Sequence, residues 1–182
     1  ETLKKVPQEK VIILDNAKGL KKLYDKVIYQ DFENDIYNVL KECINKIKKY
    51  QNIFLVYPDK SFYPYPRRIL HGFKKFCYEF DLSFEIISEV HEDIILKKGD
   101  LFLIIEDDDL VNFINQKREY EYTLGKEVGV ICYNDTNLKE LLSISAISTD
   151  FNIMAKNASD FIINNKKGHI KVPFTFKFRN SI

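Results

Sequence analysis

Short, strongly apolar runs alternate along this chain with longer stretches in which apolar residues return every three or four positions, and that alternation restricts the fold more than any other feature. The short runs fit strands over 11–14, 53–57, 84–87, 101–105 and 128–133, with a brief β-like piece at 146–148. The stretch from Glu33 places Ile36, Val39, Leu40, Ile44 and Ile47 on one face and Lys41, Lys46, Lys48 and Lys49 on the other, the signature of an amphipathic helix. Further helices are expected at about 67–80, 108–119, 138–142 and 153–165. Strand and helix units joined by short loops give an α/β fold, a mostly parallel sheet with helices on both faces. The tail from Ile170 to Phe178 alternates with period two, as an antiparallel edge pair would.

In such a sheet, ligands gather beyond the carboxyl ends of the strands. The loops to watch are therefore 15–19, 58–66, 106–109 and 134–137, which brings forward Asp15 among other residues. Loop 58–66 carries Phe62, Tyr63 and Tyr65 between prolines and beside Arg67 and Arg68. Rings of this kind stack on sugar C–H faces while arginine donates paired hydrogen bonds to hydroxyls, or else they pack beneath a proline-stiffened loop. Glu106, Asp107, Asp108 and Asp109 follow a strand directly. Clustered carboxylates can hold a divalent cation, cap a helix N-terminus, or contact a polar ligand.

Charge and motifs narrow the chemistry. Lys and Arg (28) nearly balance Asp and Glu (27), for a net charge of +1, which does not suit direct binding of nucleic acid. No apolar run is long enough to cross a bilayer and no leader pattern opens the chain, so a cytoplasmic protein without membrane contact is expected. Cys43, Cys77 and Cys132 stand far apart and read as buried structural thiols. No Gly-x-Ser-x-Gly elbow or glycine-rich phosphate loop is present, and His71, His91 and His169 lack zinc-ligand spacing. No catalytic site, cofactor or metal is therefore expected. The alternative is a freestanding α/β enzyme acting on a small polar substrate through the Asp107–Asp109 carboxylates.

Several segments resemble a known family in the right order. Gly125 to Thr136 (GKEVGVICYNDT) is similar to the "P-x-D-V-x-V-x-G-F-D-D" stretch of LacI-type effector domains, which also occurs in GntR regulators whose sensor has the periplasmic-binding-protein fold. Ile147-Ser148-Thr149-Asp150, with Ala155, Ala158 and Phe161, resembles the family's "L-T-T-V" strand and following helix. The ending Phe178-Arg179-Asn180-Ser181 is similar to its closing "x-R-x-S". Gln30-Asp31-Phe32, Arg68 to Phe73 and Leu103 to Val111 resemble its first crossover, its "R-x-x-G-F" and its "N-D" segment.

The resemblance implies a type I periplasmic-binding-protein-like C-terminal lobe plus crossover segments. Residues 1–30 would be a remnant of the N-terminal lobe and crossover. Residues 31–182 would form the C-terminal lobe, with returning crossover segments at about 143–165. It further implies a sugar-like small-molecule effector, a homodimer, and operator DNA contacted only through a DNA-binding domain absent from this chain. Its effector contacts fall on Asp107 and Asp108 and on Asn134 with Asp135 beside it. The family's effector arginine falls on Ile69, next to Arg68. With Tyr63, Tyr65 and Asp15 from the loops, these are the candidate effector-binding residues.

Overall fold

The computed structural model describes residues 5–59, 64–91 and 94–182. The chain divides into two units, one of Glu1–Asp31 with Thr149–Thr175 and one of Phe32–Ser148 with Phe176–Ile182.

The larger unit is built on five parallel strands and a closing edge strand. β3 (Asn52–Val56), β4 (Phe84–Ile87), β5 (Asp100–Ile104), β6 (Gly129–Tyr133), β7 (Ser145–Thr149) and β9 (Phe174–Lys177) lie in the order β4-β3-β5-β6-β7-β9. The pairs from β4 through β7 are all parallel. Every residue of β5 and β6 is buried, as continuous apolar strands covered on both faces should be. The core gathers Val56, Phe102, Ile104, Phe113, Val130 and Cys132, with Phe54 stacked on Phe102 at 4.6 Å. Around the sheet run α1 (Phe32–Glu42), the single turn α2 (Ile44–Ile47), α3 (Arg68–Glu79), α4 (Asp107–Glu119) and α5 (Asn137–Leu141). Helix α1 turns Ile36, Val39 and Leu40 inward, and α3 does the same with Ile69, Phe73 and Phe76. They meet at Gly72, where an added Cβ would lie 2.1 Å from the Glu33 carbonyl oxygen. The three cysteines are buried in this unit, and burial pushes each thiol up to about 12.

The smaller unit has its own parallel sheet, β1 (Ile13–Asp15), β2 (Lys26–Tyr29) and β8 (Gly168–Lys171), in the order β1-β2-β8. A short 3-10 turn, Gln8–Lys10, precedes β1. Neighbouring residues of β2 serve opposite faces: Val27 packs with Val11, Ile13 and Tyr24, while Ile28 packs with Met154 and Phe161 of α6 (Phe151–Ile163). Asp150 caps α6 through its side chain, which accepts from the Ile153 N–H at 2.8 Å.

Two sequence expectations change. No element is expected between 16 and 32, yet β2 is the centre of the smaller sheet. Its four residues are flanked by charged and turn residues, too short a run to show a period of two. The tail is not an antiparallel pair: β8 runs parallel to β2, and β9 belongs to the other sheet. Pro173 separates them, and without an N–H it cannot carry a ladder across.

Candidate functional site

The register of the larger sheet sets the site. Val56, Ile104 and Cys132 are level across β3, β5 and β6, so the residues that follow them emerge together at the carboxyl edge. Beyond β5 the chain continues as Ile105 and Glu106 into the first turn of α4; beyond β6 it leaves the strand at Asn134, whose φ is 58°. Asparagine tolerates this left-handed geometry better than most residues. A cavity of about 360 Å³ opens between these ends, walled by Glu106, Asp107 and Asp108 on one side and Tyr133, Asn134 and Lys139 on the other. Tyr65 closes part of it. A second hollow of about 320 Å³ adjoins, sharing Glu106 and Asp108 and adding Asp59 and Glu89.

Lys139 holds the two walls together. Its ammonium is almost fully buried, with 3% of the side chain exposed, and makes a 2.7 Å ion pair to Asp107. It donates further to the carbonyls of Tyr133 and Asn134, each at 2.9 Å. A buried ammonium is tolerated when its three protons all find acceptors, and these three do. The geometry follows from α5, whose N-cap Thr136 accepts from the Lys139 N–H and so turns the lysine back toward the strand end. In sequence Lys139 looks like a solvated helix residue. No sequence signal marks it out: the structure buries Lys139 and exposes its apolar neighbours Leu138, Leu141 and Leu142 instead.

The four acidic residues separate into different jobs. Glu106 is the N-cap position of α4 but makes no side-chain cap bond. It meets the Tyr65 hydroxyl instead, and burial together with this carboxylate raises the phenol pKa. Asp107 pairs with Lys139, whereas Asp109 turns inward and accepts from the Val90 N–H at 2.7 Å. Burial raises the Asp109 carboxyl pKa against that hydrogen bond. Asp108 is exposed and borders both hollows. Among the described residues no group of three or more His, Cys, Asp and Glu side chains is placed to hold a metal ion.

Asp107, Asp108, Asn134 and Tyr65 are thus brought to one cavity. The other expected residues lie elsewhere. Asp135 points to Arg179, which grips it through both guanidinium nitrogens at 2.7 and 3.1 Å and also donates to the Ile144 carbonyl at 2.8 Å. Arg68 sits at the start of α3 with its Nε 3.6 Å from a Glu33 carboxylate oxygen. Asp15 is in the smaller unit, where it accepts from the Gln30 side chain and burial raises its pKa. Tyr63 lies outside the described residues. His71 is an exposed side chain on α3, and His169 bonds the Tyr24 carbonyl at 3.0 Å.

The Asp135–Arg179 bridge fixes the C-terminal tail, together with Ser181. That buried hydroxyl donates to the Val130 carbonyl at 2.6 Å and accepts from the Ser145 N–H at 2.8 Å, filling a gap in the ladder below the first β6–β7 pair. The guanidinium beside Asp135 holds its carboxyl below the usual range. The bridge therefore stabilises the fold above the unfolded value of about 3.9 and fades as pH falls through the lower, folded value. Asp135→Asn should lower stability by about 1–3 kcal/mol at pH 7 and flatten the loss on acidification, read from urea midpoints at pH 7 and pH 3. A variant with the parent's acid sensitivity would remove Asp135 from that role.

No protein-family model matches the sequence, and no curated protein matches it. Solved structures do. The Escherichia coli transcriptional repressor AscG aligns over all of this chain and 72% of its own, at 15% identity and a TM-score of 0.75. A sugar-binding LacI-family transcriptional regulator from Escherichia coli, complexed with phosphate, aligns over 100% and 71% at 14% identity and a TM-score of 0.73. A dimeric Lac repressor with a C-terminal deletion aligns over 86% and 64%, at 17% identity and a TM-score of 0.66. At such identities the likeness establishes the fold: this is the α/β, periplasmic-binding-protein-like architecture of LacI-family regulators. Among the described residues no helix is long and apolar enough to cross a membrane.

Proposed function

We propose that this chain is the effector-sensing part of a transcriptional regulator, binding a small, polar, sugar-like molecule rather than transforming one. The observation that carries the reading is the 360 Å³ cavity at the carboxyl ends of β5 and β6, where Asp107, Asp108 and Asn134 converge. It lies where α/β sheets collect ligands, in a fold shared with sugar-binding regulators. The arrangement favours binding over catalysis. Asp107 is tied to Lys139 and Asp109 to the Val90 amide, which leaves Asp108 alone of the three without such a partner among the described residues, where glycoside hydrolysis uses a pair of carboxyl groups.

Ligand would act by binding one conformation more tightly than another, and its effect on DNA could not exceed that difference in affinity. Operator contact would fall to a separate DNA-binding domain. A second copy of the chain is the natural partner for α5 and the residue after it, where Leu138, Leu141 and Leu142 are exposed. A thermal-shift screen of this chain against neutral, amino and phosphorylated monosaccharides tests the reading. A true effector at about 100 times its Kd adds about 2.7 kcal/mol, which raises the midpoint by roughly 5–10 °C. No shift with any of them, from folded protein, would contradict it, as would turnover of the bound sugar.

A further inference from the structure

Charge at the cavity limits what can enter it. Among the described residues, Lys139 is the only cation that lines either hollow. Its ammonium is buried, and its three protons already go to Asp107, Tyr133 and Asn134. Among the described residues an anionic ligand would find no other donor of opposite charge unless it displaced Asp107, leaving that carboxylate unpaired. The remaining charges of the lining, among the same described residues, are negative. Asp108 stands between the two hollows, and no hydrogen bond or ion pair within the described residues engages its carboxylate. Glu106 lies beside it, and Asp59 and Glu89 border the second hollow. Carboxylates this close repel one another and hold a shared negative potential, which a cation relieves and a phosphate worsens.

The phenol of Tyr65 and the side chain of Asn134 are among the uncharged groups of the lining, with Thr136, Tyr133 and Ile105. A phenol offers a ring face and a hydroxyl, and an amide offers both a donor and an acceptor, so the pair suits a hydroxylated ring.

We propose that the site selects a polyhydroxylated ligand bearing a protonated amine, of the hexosamine class, over phosphorylated or acidic sugars. Asp108 accepts from the amine, and Lys139 is withheld from the ligand by its engagement with Asp107 and the two carbonyls. The inference rests on the sensing role proposed above and adds the ligand's charge to it.

The test is isothermal titration of the full chain at pH 7 with glucosamine, galactosamine and mannosamine, their neutral parent sugars and the 6-phosphates of those parents. A charged hydrogen bond is worth about tenfold in affinity or more. At least one hexosamine should therefore bind about tenfold more tightly than its parent, and the phosphates should bind more weakly than either. Asp108→Asn, an exposed substitution, should bring the ratio of hexosamine to parent-sugar affinity down to about one while leaving the thermal midpoint of the unliganded chain in place. A phosphate that binds as tightly as the amine overturns the inference, as does a preference that survives Asp108→Asn. Neutral sugars that bind as well as hexosamines overturn it while leaving the sensing role intact. No binding by any of the nine compounds overturns both.

Discussion

Replacing Gly72 by alanine should destabilise the larger unit by about 3 kcal/mol or more, the upper range for overpacking a tight contact. The new methyl would lie 2.1 Å from the Glu33 carbonyl oxygen and 2.5 Å from Cγ2 of Ile36. The first of these atoms is backbone, so no rotamer change relieves the clash and α1 must move off α3. That shift would disturb a contact whose buried side chains include Ile36, Ile69 and Phe73. For a chain of this size the thermal midpoint should fall by roughly 6–12 °C. A midpoint within a degree of the parent would mean that the helices do not approach this closely. The glycine therefore has a packing reason, independent of any backbone preference.

Lys139→Met should be comparably costly for a different reason. Methionine keeps much of the aliphatic length but leaves the Tyr133 and Asn134 carbonyls and the Asp107 carboxylate without their shared donor. Removing one partner of a buried charged cluster costs about 3–5 kcal/mol, less where the survivor reaches water, as Asp107 can. About 3 kcal/mol is expected, measured as the urea midpoint at pH 7. Ligand affinity should fall as well, because the lysine fixes the spacing between the end of β6 and the start of α4. A variant as stable as the parent would show that the lysine is not held as described.

What could be read in advance followed burial. After Asp100, β5 is, like β6, a continuous apolar run because both faces are covered, and such runs announce themselves in sequence. β2 does not, since its lysine is aliphatic packing on one side of a four-residue strand whose ammonium bonds the Glu9 carbonyl and Asn165. The β8–β9 stretch misleads because a period of two says that residues alternate between faces without saying which sheet they join. At the site, Asp107, Asp108 and Asn134 were legible because strand ends in a parallel sheet share one edge. Asp135 is adjacent to Asn134 in sequence, yet consecutive side chains past a left-handed residue point different ways, and it meets Arg179 some forty positions away. Lys139 was not legible, since nothing local distinguishes a lysine turned inward from one turned outward.

Ligand is expected to bind at the carboxyl ends of β5 and β6. Amide hydrogen exchange of this chain, with and without the most stabilising monosaccharide of the thermal screen, tests it most directly. Slowed exchange concentrated in residues 105–109 and 133–139 is the predicted result. Protection confined to the outer face of α4 around Asn115 and Glu119, or no protection at saturating ligand, would contradict it.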